Sequence, residues 1–166
     1  EYDVITLDLF LNETPPGHVL TVESFSKIKT LLKPGGIVMM NFYGYITGEK
    51  GRASRCIFKT FEAAGFHVEI LATPGAEANR NLIFLASLEE KNFANINYSE
   101  PHSAQIENLY DHFIDKSTVD FSDALVLTDD KPVLEKIYLP AAIDWRRSSI
   151  DYNLKKMIET KVPLLK

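Results

Sequence analysis

Apolar positions along this chain follow two alternating periods. Val4, Ile5, Leu7 and Leu9 form a run that is apolar on both faces, which predicts a strand in a sheet covered by helices on each side. Residues 10–18 (FLNETPPGH) hold too many Pro, Gly and Asn for regular structure, and they outrun the usual strand-to-helix loop of about 2 to 6 residues. Phe25, Ile28, Leu31 and Leu32 then recur at helical spacing, with Thr21 placed to cap the helix and Glu23 in its favourable first turn. Lys27, Lys29 and Lys33 fall outside or toward the negative end, and Pro34, Gly35 and Gly36 predict the stop. Ile37 to Met40 reads as a second strand, with Asn41 at its carboxyl end beside the aromatic, glycine-containing loop 42–48. Strand, loop, helix, turn and strand over Tyr2 to Asn41 make the unit from which parallel sheets are built.

Further on, Arg52 to Ala64 predicts a helix with Cys56, Ile57, Phe61 and Ala64 inward and Gly65 ending it. Phe66, Val68 and Ile70 alternate against His67, Glu69 and Leu71 in a predicted strand running to Ala72. Across the turn Thr73 to Arg80 lies another, Asn81 to Leu88, close enough for an antiparallel hairpin. At Glu89 to Pro101 the composition shifts to Asn and charge, which divides the chain into a sheet unit, 1–90, and a mainly helical extension, 91–166. In the extension the pattern predicts a helix over Ala104 to Ile114, irregular chain over Val119 to Val126, and a final helix from about Ala141 to Ile158. Trp145 and Tyr152, seven apart, share a face of that last helix as packing residues or as an aromatic cage for an amine. The class is α/β.

Composition narrows the function. The 166 residues suffice for a proper core, and 45% hydrophobic with 25% charged residues is ordinary for a globular chain. A net charge of -5 argues against broad contact with nucleic acid and suits cationic small-molecule partners. The lone Cys56 precludes an internal disulfide and, set in an apolar pattern, reads as a buried small hydrophobe in a reducing, cytoplasmic setting. No Cys/His spacing resembles a metal site, and no apolar run approaches the roughly 20 residues of a membrane helix. Glu1 leads straight into a buried-type strand, so a longer parent chain is expected. These residues also lack the glycine-rich strand-to-helix turn on which a nucleotide donor rests, since Gly35-Gly36 precedes a strand instead.

Candidate chemistry collects at the carboxyl ends of the first two strands, where an open α/β sheet gathers its ligands. Asp8, Asn41 and Tyr43 stand there, with Glu13 and His18 in the long loop between. Asp8 is either a ligand-binding acid or a loop cap, and the pattern leaves both open. Asp129 and Asp130, before Pro132, are either a second acidic contribution or a turn.

Tyr2-Asp3-Val4-Ile5 with Asp8 and Phe10, then Pro16, His18, Leu20, Thr21, Glu23 and Phe25, then Lys33-Pro34-Gly35-Gly36 and Asn41, resemble the second half of the spermidine synthase-like family. The Pro-x-His-x-Leu-Thr-x-Glu-x-Phe helix start is the discriminating part. The resemblance is to the branch often fused to membrane segments, and Leu127-Thr128-Asp129-Asp130-Lys131-Pro132 with Glu135 echoes the same branch. It implies the carboxyl-terminal half of a Rossmann-like methyltransferase fold: a mostly parallel sheet whose last strand runs antiparallel and inserts between its two predecessors, with a helical appendage. The strand order would be first, second, fourth, third, and the edge of the first strand would be covered by another copy or by the chain itself.

The implied activity is transfer of an aminopropyl group from decarboxylated S-adenosylmethionine to a polyamine acceptor. Other implied readings are a different S-adenosylmethionine-dependent small-molecule methyltransferase, or a noncatalytic interaction module. An alkyl ammonium must lose its proton before it can attack, so the reaction needs a positioned carboxylate. The family carries two aspartates three residues apart. Asp8 matches the first and Leu11 holds the place of the second, which leaves Glu13, Asp129 or Asp130 to supply a base and His18, Asn41 and Tyr43 to contact substrate.

Overall fold

The computed structural model describes residues 1–9, 15–92, 109–131 and 133–160. Four strands, β1 (Tyr2–Leu7), β2 (Leu32–Tyr43), β3 (His67–Ala72) and β4 (Asn81–Ser87), form one mixed sheet in the order β1-β2-β4-β3. β2 runs parallel to β1, and β4 lies antiparallel between β2 and β3. Order and directions are those expected above.

Strand alternation sorts this sheet into two unequal faces. Val38, Met40 and Phe42 of β2, Leu82, Phe84 and Ala86 of β4, and Val68, Ile70 and Ala72 of β3 are all buried on one of them. That face receives α1 (Val22–Lys29) and α2 (Arg52–Ala63), whose Phe25 and Phe61 rings stack at 3.8 Å while Phe61 meets Phe84 at 6.4 Å. The opposite face, with Met39, Asn41, Tyr43, Ile83 and Leu85, is half-buried or open. Packing Phe61 and its neighbours from water supplies roughly 1.5–3 kcal/mol per large side chain, which is what holds the two helices to the sheet.

Several expectations need correction. β1 is not covered on both sides. Ile5 and Leu7 turn inward, but Val4 is 57% exposed, and among the described residues the strand's outer edge has no partner. Nor does α1 run to Pro34: Thr21 Oγ1 accepts from Ser24 N at 3.2 Å to open it, and it ends at Lys29 with Thr30 as cap. Pro34-Gly35-Gly36 instead form a bulge, since the pairing steps from Tyr2↔Leu32 to Val4↔Ile37 and loops out residues 33–36, with Gly35 at φ 76°. Last, the final helix α3 spans Leu134–Thr160 and runs through Pro140. Proline forfeits one backbone donor there, and burial of Leu134, Tyr138 and Ala141 on the inward side offsets that loss.

Residues beyond 90 pack into the same core as the sheet. Leu127, Leu134, Tyr138 and Ala141 belong to the one buried cluster that also holds Phe42 and Phe84. Val22 N donates to Leu127 O (2.9 Å) and Leu127 N to Thr60 Oγ1 (2.9 Å), so this segment is stitched between α1 and α2. Ile114 N donates to Ile70 O at 2.8 Å and Phe113 bridges Leu71, covering the outer edge of β3. Where a helix over Ala104 to Ile114 is predicted, the described part is a short 3-10 turn at Leu109–His112; 104–108 lie outside the described residues.

Candidate functional site at the carboxyl ends of the parallel strands

β1 and β2 are parallel and in register from Val4↔Ile37 to Leu7↔Met40, so the next residues, Asp8 and Asn41, come out side by side at the carboxyl end of the sheet. Asn41 Nδ2 donates to Asp8 Oδ1 at 3.2 Å. The carboxylate is exposed, while Asn41 Oδ1 is buried without a hydrogen-bond partner among the described residues. An orphaned buried acceptor costs about 1–3 kcal/mol, a cost that packing alone gives no reason to accept.

Tyr43 is two residues on and shares Asn41's side of the strand. Its ring stacks on Tyr138 at 5.2 Å and meets Trp145 at 5.4 Å, so α3 closes over this end of the sheet. The long loop returns to α1 through a 3-10 turn, Gly17–Val19, and Gly17 N donates to Glu135 Oε1 at 2.9 Å. That contact ties the loop to α3. His18 sits on the same turn and is exposed. Glu13 and Leu11 lie outside the described residues.

The other acids are engaged elsewhere. Asp129 Oδ1 accepts from Thr21 Oγ1 at 2.6 Å and Asp129 N donates to Glu23 Oε2 at 3.1 Å, which locks the amino end of α1. Asp130 is exposed in the tight turn closed by the Thr128↔Lys131 bridge, and a hydrogen bond from the Thr128 side chain holds its carboxyl below the usual range. Geometry thus brings Asp8, Asn41 and Tyr43 together and engages Asp129 with the Thr21 hydroxyl at the start of α1. Trp145 serves as packing, and Tyr152 stays 57% exposed with Lys156 Nζ 5.1 Å from its ring centre. No family model matches the chain, and no curated protein does either.

Two polar networks that the hydrophobic pattern did not reveal brace the loop after β2. Arg55, 4% exposed on α2, donates from Nε and Nη2 to the two carboxylate oxygens of Asp123 (2.9 and 2.7 Å) and from Nη1 to Ile46 O (2.6 Å). The bond from Arg55 holds the Asp123 carboxyl below its ordinary value. Tyr45, also buried, donates to Asp144 Oδ2 at 2.6 Å, and Lys50 Nζ reaches the same oxygen at 2.7 Å. Burial first, then that bond, pushes the Tyr45 phenol well above its usual value. A single signal could have exposed the first network: a lone arginine inside an otherwise apolar helical stripe demands a carboxylate. Cys56 is buried and accepts from Leu125 N at 3.3 Å, and burial raises its thiol above the ordinary range, as suits an inert residue.

Among the described residues no helix is long and apolar enough to cross a membrane.

Proposed function

We propose that this chain forms the acceptor side of a spermidine synthase-like transferase, with Asp8 receiving one ammonium of a polyamine. What carries the reading is the Asp8–Asn41 contact at the ends of two adjacent parallel strands. Asn41 fixes one carboxylate oxygen, so the other is aimed rather than freely rotating, and a charge-assisted bond to an ammonium is about twice as strong as a neutral one. The inserted antiparallel β4 supports the fold half of the proposal. On this reading decarboxylated S-adenosylmethionine is held by a glycine-rich turn outside these 166 residues, and the open border of β1 is where that part of the sheet docks.

With Leu11 in place of a second aspartate, the amine's proton must go to another group, and Glu13 is the nearest acid along the loop. Nuclear magnetic resonance titration with putrescine and spermidine tests the binding step. Shifts should centre on residues 7–9 and 41–43, vanish in Asp8→Asn, and weaken about tenfold in Asn41→Ala. If Asp8→Asn binds as well as the parent, the site assignment is wrong. The exposure of Asp8 favours a second reading, a noncatalytic interaction module, and absence of any amine-dependent shift would select it.

A further inference from the structure

The 27 residues of α3 carry apolar side chains on two sides. Leu134, Tyr138 and Ala141 face the core, whereas Leu139 (55% exposed), Ile143 (44%), Ile150 (50%) and Leu154 (41%) point outward. At 100° per residue these four and Met157 fall in a sector about 60° wide and extend about 27 Å along the helix. Their spacing of four, seven, four and three residues is that of a packing seam rather than of scattered surface leucines. Leu139, Ala142, Ile143 and Ile150 line a shallow groove of about 430 Å³ on the body-proximal half. Between residues 150 and 160 all but Met157 are exposed, so the seam leaves the body on a helical arm.

We propose that this seam pairs with the same seam of a second copy, antiparallel, about a two-fold axis crossing the helix near Ser148 and Ser149. The choice of occupant rests on self-complementarity. That axis sets Ile143 opposite Leu154 of the second copy and Leu139 opposite its Met157 and Ile158, so outward apolar groups meet apolar groups. Antiparallel pairing also brings the same flank of both helices face to face. One flank carries Arg147 and Asp151, both exposed, which form no ion pair with each other among the described residues. In this register Arg147 of each copy stands within a residue of Asp151 of the other, so two opposite-charge contacts form at once, as an isologous interface requires. A single helix pair of this length is at the small end of protein interfaces, and the dimer is accordingly concentration-dependent, in the micromolar range or weaker. The inference does not depend on the function of Asp8.

Sedimentation equilibrium from micromolar to millimolar chain tests it. The parent should dimerise, and Ile143→Asp should be monomeric throughout with unchanged circular dichroism, since Ile143 faces away from the core. Arg147→Asp and Asp151→Arg should each weaken the dimer about tenfold. Mixed in equal amounts, these two variants should form a heterodimer at least as tight as the parent, because every flank contact then joins opposite charges. A monomeric parent at millimolar concentration overturns the proposal, including one that binds phosphatidylserine vesicles through the seam instead. So does a dimer indifferent to Ile143→Asp, which would place the interface elsewhere, for instance at the β1 edge.

Discussion

Single side chains here act mainly by settling the polar groups that folding buries. Arg55 is the sharpest case, because its guanidinium satisfies a carboxylate and two loop carbonyls at once, with Nη2 also reaching Gly48 O at 2.8 Å. Arg55→Ala should cost about 3 kcal/mol in chemical denaturation, since the Ile46 carbonyl would be left buried without its donor. The partner side is pH-dependent. Because Asp123 has a folded value below its unfolded one, its contribution is complete above about pH 4 and is lost as pH falls through the depressed value. Asp123→Asn should therefore lower stability at every pH above about 4, alkaline side included, and flatten the acid limb, where the parent loses the same contribution. A variant that unfolds in acid along the parent's curve would show that the pair is not linked to stability. Asp8 belongs to the opposite category: it stands exposed at a strand end, where the proposed function assigns it a ligand instead of a place in the packing.

At the scale of elements, the loop joining β2 to α2 shows how tightly the site's surroundings are packed. Gly51 has an ordinary helical φ of -79°, so its role is space rather than backbone freedom. A Cβ there would meet the Ile46 carbonyl carbon at 2.1 Å, a backbone atom that cannot rotate away. Gly51→Ala should lower stability by about 2–3 kcal/mol or more and loosen the loop that carries Tyr45 and Arg55's acceptors. A thermal melt within 1 °C of the parent would disprove the close approach. The β2 bulge makes a related point. Lys33-Pro-Gly-Gly looks like a helix stop, and the chain uses it instead to reset the register between β1 and β2, which is what aligns Asp8 with Asn41.

For the whole molecule, the sheet is protected unequally. β4 is paired on both sides and buried on its inner face, whereas β1 has one paired edge among the described residues and exposed Tyr2 and Val4. Hydrogen exchange should be fastest in β1 and slowest in β4 and the central part of β2, the order expected when opening begins at an uncovered edge. Equal protection of β1 and β4 in the monomer would mean that the edge is covered by chain outside the described residues. An apolar edge of this kind also invites pairing with any strand that reaches it. Covering it in a larger sheet is the role that the proposed function assigns to it.

Local chemistry was enough to place α2, β3, β4 and the Thr21 cap within a residue or so, because short-range periodicity and capping act between neighbours in the chain. It was enough, too, to bring Asp8 and Asn41 forward as candidates, since strand ends can be read from where apolar runs stop. Tertiary structure alone decided the rest. It joined Asp129 to the Thr21 hydroxyl across 108 residues, paired Arg55 with Asp123 across 68 residues, and carried α3 back through Pro140 to Leu134. Those outcomes depend on which distant surfaces meet, and a hydrogen bond or buried ring can outweigh a local preference only after the fold has brought its partner within reach.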